Sequence, residues 1–119
     1  MRRSKVVFGP FTKRRLSGRN RVFRAEWNGT VLAESGRTVL LEGNRYFPPA
    51  DVSFDHLEPS DHASVCPWKG TASYYDIVVD GHRNSNAAWY YPNPSAAAAK
   101  IEDHVAFGQG VRVSAASPA

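Results

Sequence analysis

Two dipeptides, Asn28-Gly29 and Asp80-Gly81, constrain this chain more than any other feature. Both residues of each pair tolerate positive φ, which a two-residue turn between right-twisted strands demands. Strand-like runs flank each pair. Phe23, Ala25 and Trp27 alternate with Arg24 and Glu26 before the first, and Thr30 to Glu34 returns after it. Ser35-Gly36 predicts the next turn and Arg37 to Glu42 a third strand. Gly43-Asn44 predicts a further turn before Arg45-Tyr46-Phe47. The β-rich run Thr71 to Val79 precedes Asp80-Gly81, His82 to Asn86 returns, and Ala87 to Tyr91 reads as extended. A chain punctuated in this way folds as antiparallel hairpins.

Pro48-Pro49 ends strand pairing, because proline donates no ladder hydrogen bond. Asp51 to Leu57 reads as a short strand. Glu58-Pro59-Ser60-Asp61 carries turn chemistry, and Cys66-Pro67-Trp68-Lys69-Gly70 reads as a punctuated loop. One helix is expected near the C-terminus. Asn93 is its N-cap, Pro94 its first residue and Gly108 its stop, with Ala97, Ile101 and Val105 on one face. Val111 to Val113 reads as a last strand. The expected fold is therefore mostly β, a small single domain of antiparallel hairpins with one C-terminal helix.

Charge divides the chain. Residues 1–24 hold nine basic residues and no acidic one; residues 25–119 hold six basic and eleven acidic residues. The segment 1–21 reads as a basic flexible extension, 22–113 as the folded domain and 114–119 as a fraying tail. The +9 of the first 24 residues could engage nucleic acid or another acidic partner by releasing counterions. The −5 of the remainder argues against a basic nucleic-acid-binding fold. No apolar run reaches the ~18 residues that span a bilayer, and Gly9-Pro10 interrupts any secretory signal, so no membrane association is expected. The single cysteine, Cys66, excludes an intrachain disulfide and fits a reducing, cytoplasmic setting.

The clusters EWNGTVLAES, YFPPADV, LEPSD, CPWKGTASYY, AAWYYPNP and IEDHVAF follow one another over residues 22–113. In these the chain resembles the family called domain of unknown function 427. The resemblance implies a β-tent-like fold, a group that includes methionine-R-sulfoxide reductases and the thalidomide-binding domain of cereblon. Many β-tent proteins bind zinc through two CxxC pairs, which one cysteine cannot supply. The family also carries a nucleotidyltransferase label. Its chemistry would need carboxylates converging on metal ions. Asp76 and Asp80 share a strand face, but Asp80 belongs to a turn. No P-loop is present, and Gly108-Gln109-Gly110 lacks the dinucleotide context.

Trp68, Tyr74, Tyr75, Trp89, Tyr90 and Tyr91 fall close together in sequence. Neighbours on a strand face opposite sides, so one of each tyrosine pair enters the core and the other lines a surface. Aromatic walls with a few polar groups suit a small ligand. The preferred reading is such a site. Trp68, Tyr74, Trp89 and Tyr91 enclose the ligand, Lys69, Glu58, Ser60 and Asp61 orient it, and Arg37 adds a cationic contact. The alternative is an enzyme with Cys66 as thiol nucleophile, its pKa lowered by Lys69 and His62 as base. An external thiol would then resolve any oxidised Cys66. His56, His62, His82 and His104 are scattered, and His62-x-x-x-Cys66 gives two ligands at most, so no metal and no other cofactor is expected. Open sheet edges make a homodimer a natural expectation.

Overall fold

A computed structural model describes residues 21–116. The described residues hold nine strands: β1 (Phe23–Trp27), β2 (Thr30–Ser35), β3 (Val39–Leu41), β4 (Asn44–Tyr46), β5 (Leu57–Cys66), β6 (Gly70–Val79), β7 (His82–Tyr90), β8 (Val105–Phe107) and β9 (Arg112–Ala115). They form three antiparallel sheets, ordered β9-β1-β2, β3-β4 and β5-β6-β7-β8.

Three hairpins close through two-residue turns with both residues left-handed. These are Asn28-Gly29 (φ 51° and 78°), Glu42-Gly43 (53° and 81°) and Asp80-Gly81 (50° and 79°). The first and third stand where the sequence predicts them. The second lies one residue earlier than Gly43-Asn44, because Leu41 pairs with Asn44 and leaves Glu42 in the bend.

The expected C-terminal helix is absent. In its place is a six-residue 3₁₀ stretch, Ala96–Ile101, interrupted at Ala98 (φ −113°, ψ 17°). Its hydrogen bonds run three residues back, Ala98 N–H to Ser95 O at 3.0 Å and Glu102 N–H to Ala99 O at 3.1 Å. Both ends are tied to other elements. Ser95 N–H donates to Lys69 O at 2.8 Å, and Asp103 N–H donates to Tyr91 O at 3.1 Å with Asp103 at φ 60°. Only a short piece lies between those ties, and a helix so short does not repay its nucleation. The alanines satisfy helix propensity, but packing selects Ala98 and Ile101, both fully buried and three apart, the spacing that a 3₁₀ turn brings to one face. Val105, assigned to the helix face from sequence, is instead in β8.

The expected strand Asp51 to Leu57 is likewise two 3₁₀ turns, Pro49–Asp51 and Phe54–His56, around a single bridge from Val52 to Ala33. Proline at the first position of the first turn fixes its φ and requires no amide donor. Glu58 to Asp61 lies within β5 rather than in a turn. There Pro59 faces Tyr75 and Ala63 faces Ser73, so residues 60–62 bulge opposite Tyr74. The strand β9 continues to Ala115, opposite Phe23.

The four-stranded sheet buries both faces. Along β8, Val105 and Phe107 enter a cluster with Ala25, Leu32, Phe47, Ile77 and Val79, while Ala106 enters a second with Tyr46, Ala72, Tyr91, Ala98 and Ile101. The alternation of a strand thus divides one core into two. The sheet β9-β1-β2 supplies the first cover. The β3–β4 hairpin and the 3₁₀ stretch supply the second.

A polar tie locks the loop after β2. Ser35, 4 % exposed, donates to Asp51 Oδ2 at 2.6 Å and accepts from Arg37 N–H at 2.9 Å. The Ser35 bond holds the Asp51 carboxyl below its ordinary pKa; burial opposes this and Arg37 at 3.2 Å adds to it. The folded state therefore binds fewer protons here than the unfolded chain. The resulting stability is complete above the unfolded value, about 3.9, and is lost as pH falls through the lower folded one. Ser35→Ala is expected to flatten that acid limb, read by urea unfolding at several pH values. An unchanged limb would contradict the tie.

Candidate functional site

The second face of the four-stranded sheet gathers the chemistry. Cys66 is the last residue of β5 and pairs with Gly70, the first of β6. Pro67, Trp68 and Lys69 form the bend between them. Gly70 stands at φ 120°, outside the range of L side chains, which lets the bend close beneath residues 93–95. The bend turns the Lys69 side chain inward, leaving the residue 6 % exposed, and leaves Trp68 40 % exposed.

Lys69 is caged. Its ammonium lies 5.2 Å from the Trp68 ring centroid and 5.6 Å from that of Tyr91, within cation–π range. Glu42, at the tip of the β3–β4 hairpin, contacts Lys69 Nζ with Oε1 and accepts from Trp68 Nε1 with Oε2 at 2.9 Å. Burial alone would lower the Lys69 pKa, but the Glu42 bond, with help from Tyr91 and Cys66, raises it above its ordinary value. The Glu42 carboxyl is correspondingly lowered, by its hydrogen bonds to Lys69 and then Trp68.

Cys66 is half-buried and packs against the second core cluster. Its pKa is lowered, first by the Lys69 backbone N–H; burial opposes, and the Trp68 N–H and the Lys69 ammonium add to the lowering. Two amides at a tight bend and a nearby cation are the setting that favours a thiolate.

Aromatic side chains extend the site along the same face. Tyr74 hydrogen-bonds Ser64 at 2.9 Å, packs against the His62 ring at 4.5 Å and lies 6.3 Å from Trp89. Trp89 Nε1 donates to Tyr46 Oη at 3.3 Å. The tyrosine pairs divide between the two faces, not into one core and one surface residue each. Tyr74 and Tyr91 belong to this face, with Tyr91 buried in its core, while Tyr75 and Tyr90 stack at 4.9 Å on the other, where burial and then Tyr90 push the Tyr75 hydroxyl up to about 12.

Of the residues singled out from sequence, Cys66, Trp68, Lys69, Tyr74, Trp89 and Tyr91 share this face. The others do not join them. Arg37 is on the Asp51 tie. Glu58 is at the far end of β5, where Arg83 bridges it and Asp76 at 2.9 and 2.8 Å. Ser60 bonds Asn86, linking the β5 bulge to a second bulge in β7, and Asp61 is exposed in the first. His62 packs on Tyr74, and the basic role proposed for it from sequence finds no contact with Cys66. Sequence reasoning missed Glu42, Tyr46 and Ser64. A glutamate before glycine in a bend was the one available signal for Glu42.

Among the described residues no three His, Cys, Asp or Glu side chains converge to hold a metal ion, and no helix is long and apolar enough to cross a membrane. Residues 1–20 lie outside the described residues, and with them most of the basic extension. Arg24 is engaged by Glu34 at 2.9 Å and Glu26 at 3.4 Å, and Arg21 lies over the Phe23 ring at 5.5 Å. No curated protein matches the chain. The family model described as Domain of unknown function (DUF427) matches residues 15–116, nearly the whole length, and the chain with its Cys66–Lys69 bend and aromatic sheet face belongs to that family.

Proposed function

We propose that this domain binds a small ligand against the aromatic face of β5–β7, with the Cys66 thiol as the polar contact at its end. The observation that carries the reading is that Tyr74, Trp89 and Tyr91 pack on one face with the half-buried Cys66, and Trp68 joins Tyr91 around the Lys69 ammonium. Lys69 occupies the cationic position between Trp68 and Tyr91. A ligand with a planar, neutral or anionic group therefore suits the site better than an ammonium. A thermal-shift panel of metabolites and nucleotides tests this. A true ligand at a hundredfold excess over its Kd adds about 2.7 kcal/mol. Trp68→Ala should abolish the shift and Arg37→Ala should leave it intact. A panel without any shift counts against the reading, as does a shift that Trp68→Ala leaves unchanged.

The ionisation of Cys66 favours a second reading, in which the thiolate attacks an electrophilic ligand. Iodoacetamide alkylation followed against pH should show a midpoint below the ordinary thiol value of about 8.5. A midpoint at or above that value removes the nucleophile reading and leaves the binding one. The nucleotidyltransferase label gains no support from the described residues: Glu58 and Asp76 meet on Arg83, and no three His, Cys, Asp or Glu side chains converge to hold a metal ion. An adaptor role for the basic segment 1–24 is tested by deleting residues 1–21: nucleic-acid binding that survives unchanged excludes it.

A further inference from the structure

Among the described residues Lys69 is the one buried cation. Burying an ammonium is costly, and an apolar side chain of similar volume would fill the same space without that cost. Its partner is not a core residue either. The Lys69 side chain is 7 % exposed while that of Glu42 is 47 % exposed, so the cation is enclosed and its counter-charge stands at the surface. Glu42 comes from a different hairpin, and its two oxygens are shared between two consecutive residues of one bend. Oε1 meets the Lys69 ammonium and Oε2 accepts from the Trp68 indole N–H at 2.9 Å. The bend thus presents two donors spaced to take both oxygens of one carboxylate. The Glu42 backbone stands at φ 53°, the position that Asn28 and Asp80 hold in the other two-residue turns at 51° and 50°. Short polar side chains are ordinary there and glutamate is not. Neither the turn nor the core calls for a glutamate at this position; the two donors do.

We propose that the Trp68 indole N–H and the Lys69 ammonium form a carboxylate-recognition site that Glu42 occupies from within, and that the ligand is a small aromatic carboxylic acid which displaces Glu42. This rests on the reading of the aromatic face as the ligand site and names the ligand's class. The ligand's carboxylate takes both donors. Its ring finds flat partners in Trp68 and Tyr91, whose centroids lie 5.2 and 5.6 Å from the ammonium. Glu42, already half in water, is released to solvent from the tip of its hairpin. A buried ammonium left without a counter-charge is unfavourable, so an anion replaces Glu42 where a neutral group of the same shape does not. An internal occupant also weakens the ligand: the apparent Kd rises by the reciprocal of the fraction of time the site is open. A contact closed about nine-tenths of the time raises it about tenfold.

The test is a titration of the full chain with benzoate, followed on the tryptophan indole N–H signals by nitrogen–proton NMR, with the Trp68 signal identified by its loss in Trp68→Phe. E42N gives this turn the Asn-Gly sequence of Asn28-Gly29, so the hairpin keeps its bend while the side chain becomes too short to reach the donors. Benzoate should bind E42N about tenfold more tightly than the unaltered chain. Benzamide, the same ring without the charge, should gain nothing. K69M, an apolar exchange compatible with folding, should abolish the benzoate gain when combined with E42N. Thermal unfolding checks each variant, and E42Q, which keeps the side-chain size, replaces E42N if that chain does not fold. Benzoate affinity that E42N leaves unchanged overturns the proposal, as does a gain that benzamide shares or that survives K69M. An equal gain for inorganic phosphate overturns the carboxylate assignment, and an equal gain for acetate overturns the aromatic one. Benzoate that binds and moves the Trp89 signal regardless of E42N and K69M removes this proposal and leaves the aromatic-face reading standing.

Discussion

Phe47→Ala is expected to remove about 3–5 kcal/mol of stability, the usual loss for truncating a buried phenylalanine. The ring is fully buried and meets Phe107 edge-on, centroids 5.6 Å apart. Its backbone exchanges two hydrogen bonds with Val105, at 2.8 and 2.9 Å. Phe47 also follows Tyr46, and the two side chains enter different clusters, so this one position ties the β3–β4 hairpin to β8 and to both halves of the core. A cavity here has little opportunity to collapse. Urea unfolding should show the loss as a lower midpoint at nearly constant slope, and the melting temperature should fall by about 4–8 °C for each kcal/mol. Leu40→Ala, at an exposed position in β3, should stay within about 0.5 kcal/mol. A Phe47→Ala loss below about 1 kcal/mol would mean that the two clusters are not joined as described.

The hairpins were legible because their signals are local. Asn28-Gly29 and Asp80-Gly81 dictate left-handed backbone in any context, and the alternating residues beside them need one partner strand to be satisfied. The bulges and the C-terminal segment were not legible, because their causes are distant. Ser60 belongs to a strand only because Asn86 is there to bond it. Residues 93–103 give up a helix because Lys69 O and Tyr91 O hold their ends. The run of alanines has high helix propensity, yet a sum of small per-residue preferences over six residues does not outweigh such fixed ends.

The site shows the same division. Aromatic residues and a lone cysteine crowded into one stretch of sequence come to one face because β6 and β7 are neighbours through a two-residue turn. Residues beyond that hairpin were assigned by loop proximity, which failed once Glu58 to Asp61 became strand. Glu58 and Cys66 are at opposite ends of β5, and extended chain separates them by more than a ligand's reach. Arg37 was a plausible cation without a visible partner in sequence; Asp51 takes it. Glu42 could not be linked to Lys69 from spacing, since the two meet only when the β3–β4 hairpin folds over the second sheet face.

Gly70→Ala should affect fold and site together. At φ 120° a Cβ lies outside the conformations open to L residues, and it would meet Asn93 O at 3.2 Å and Pro94 Cα at 3.6 Å. Relief requires either the Cys66–Gly70 bend to open or residues 93–95 to withdraw, and the 2.8 Å bond from Ser95 N–H to Lys69 O resists both. The expected cost is about 2 kcal/mol or more. Gly29→Ala, at φ 78° with open space around it, meets backbone strain alone and should cost less. The difference between the two isolates the close approach beneath the 3₁₀ segment. If the bend opens, the Trp68 and Lys69 N–H groups no longer face the sulfur, and the alkylation midpoint of Cys66 should rise towards that of an ordinary thiol. Loss of stability with an unmoved thiol midpoint would place the relaxation in residues 93–95. Equal costs for Gly70→Ala and Gly29→Ala would mean that the bend and the 3₁₀ segment do not press on one another, and the amide pair at Cys66 would then need a different support.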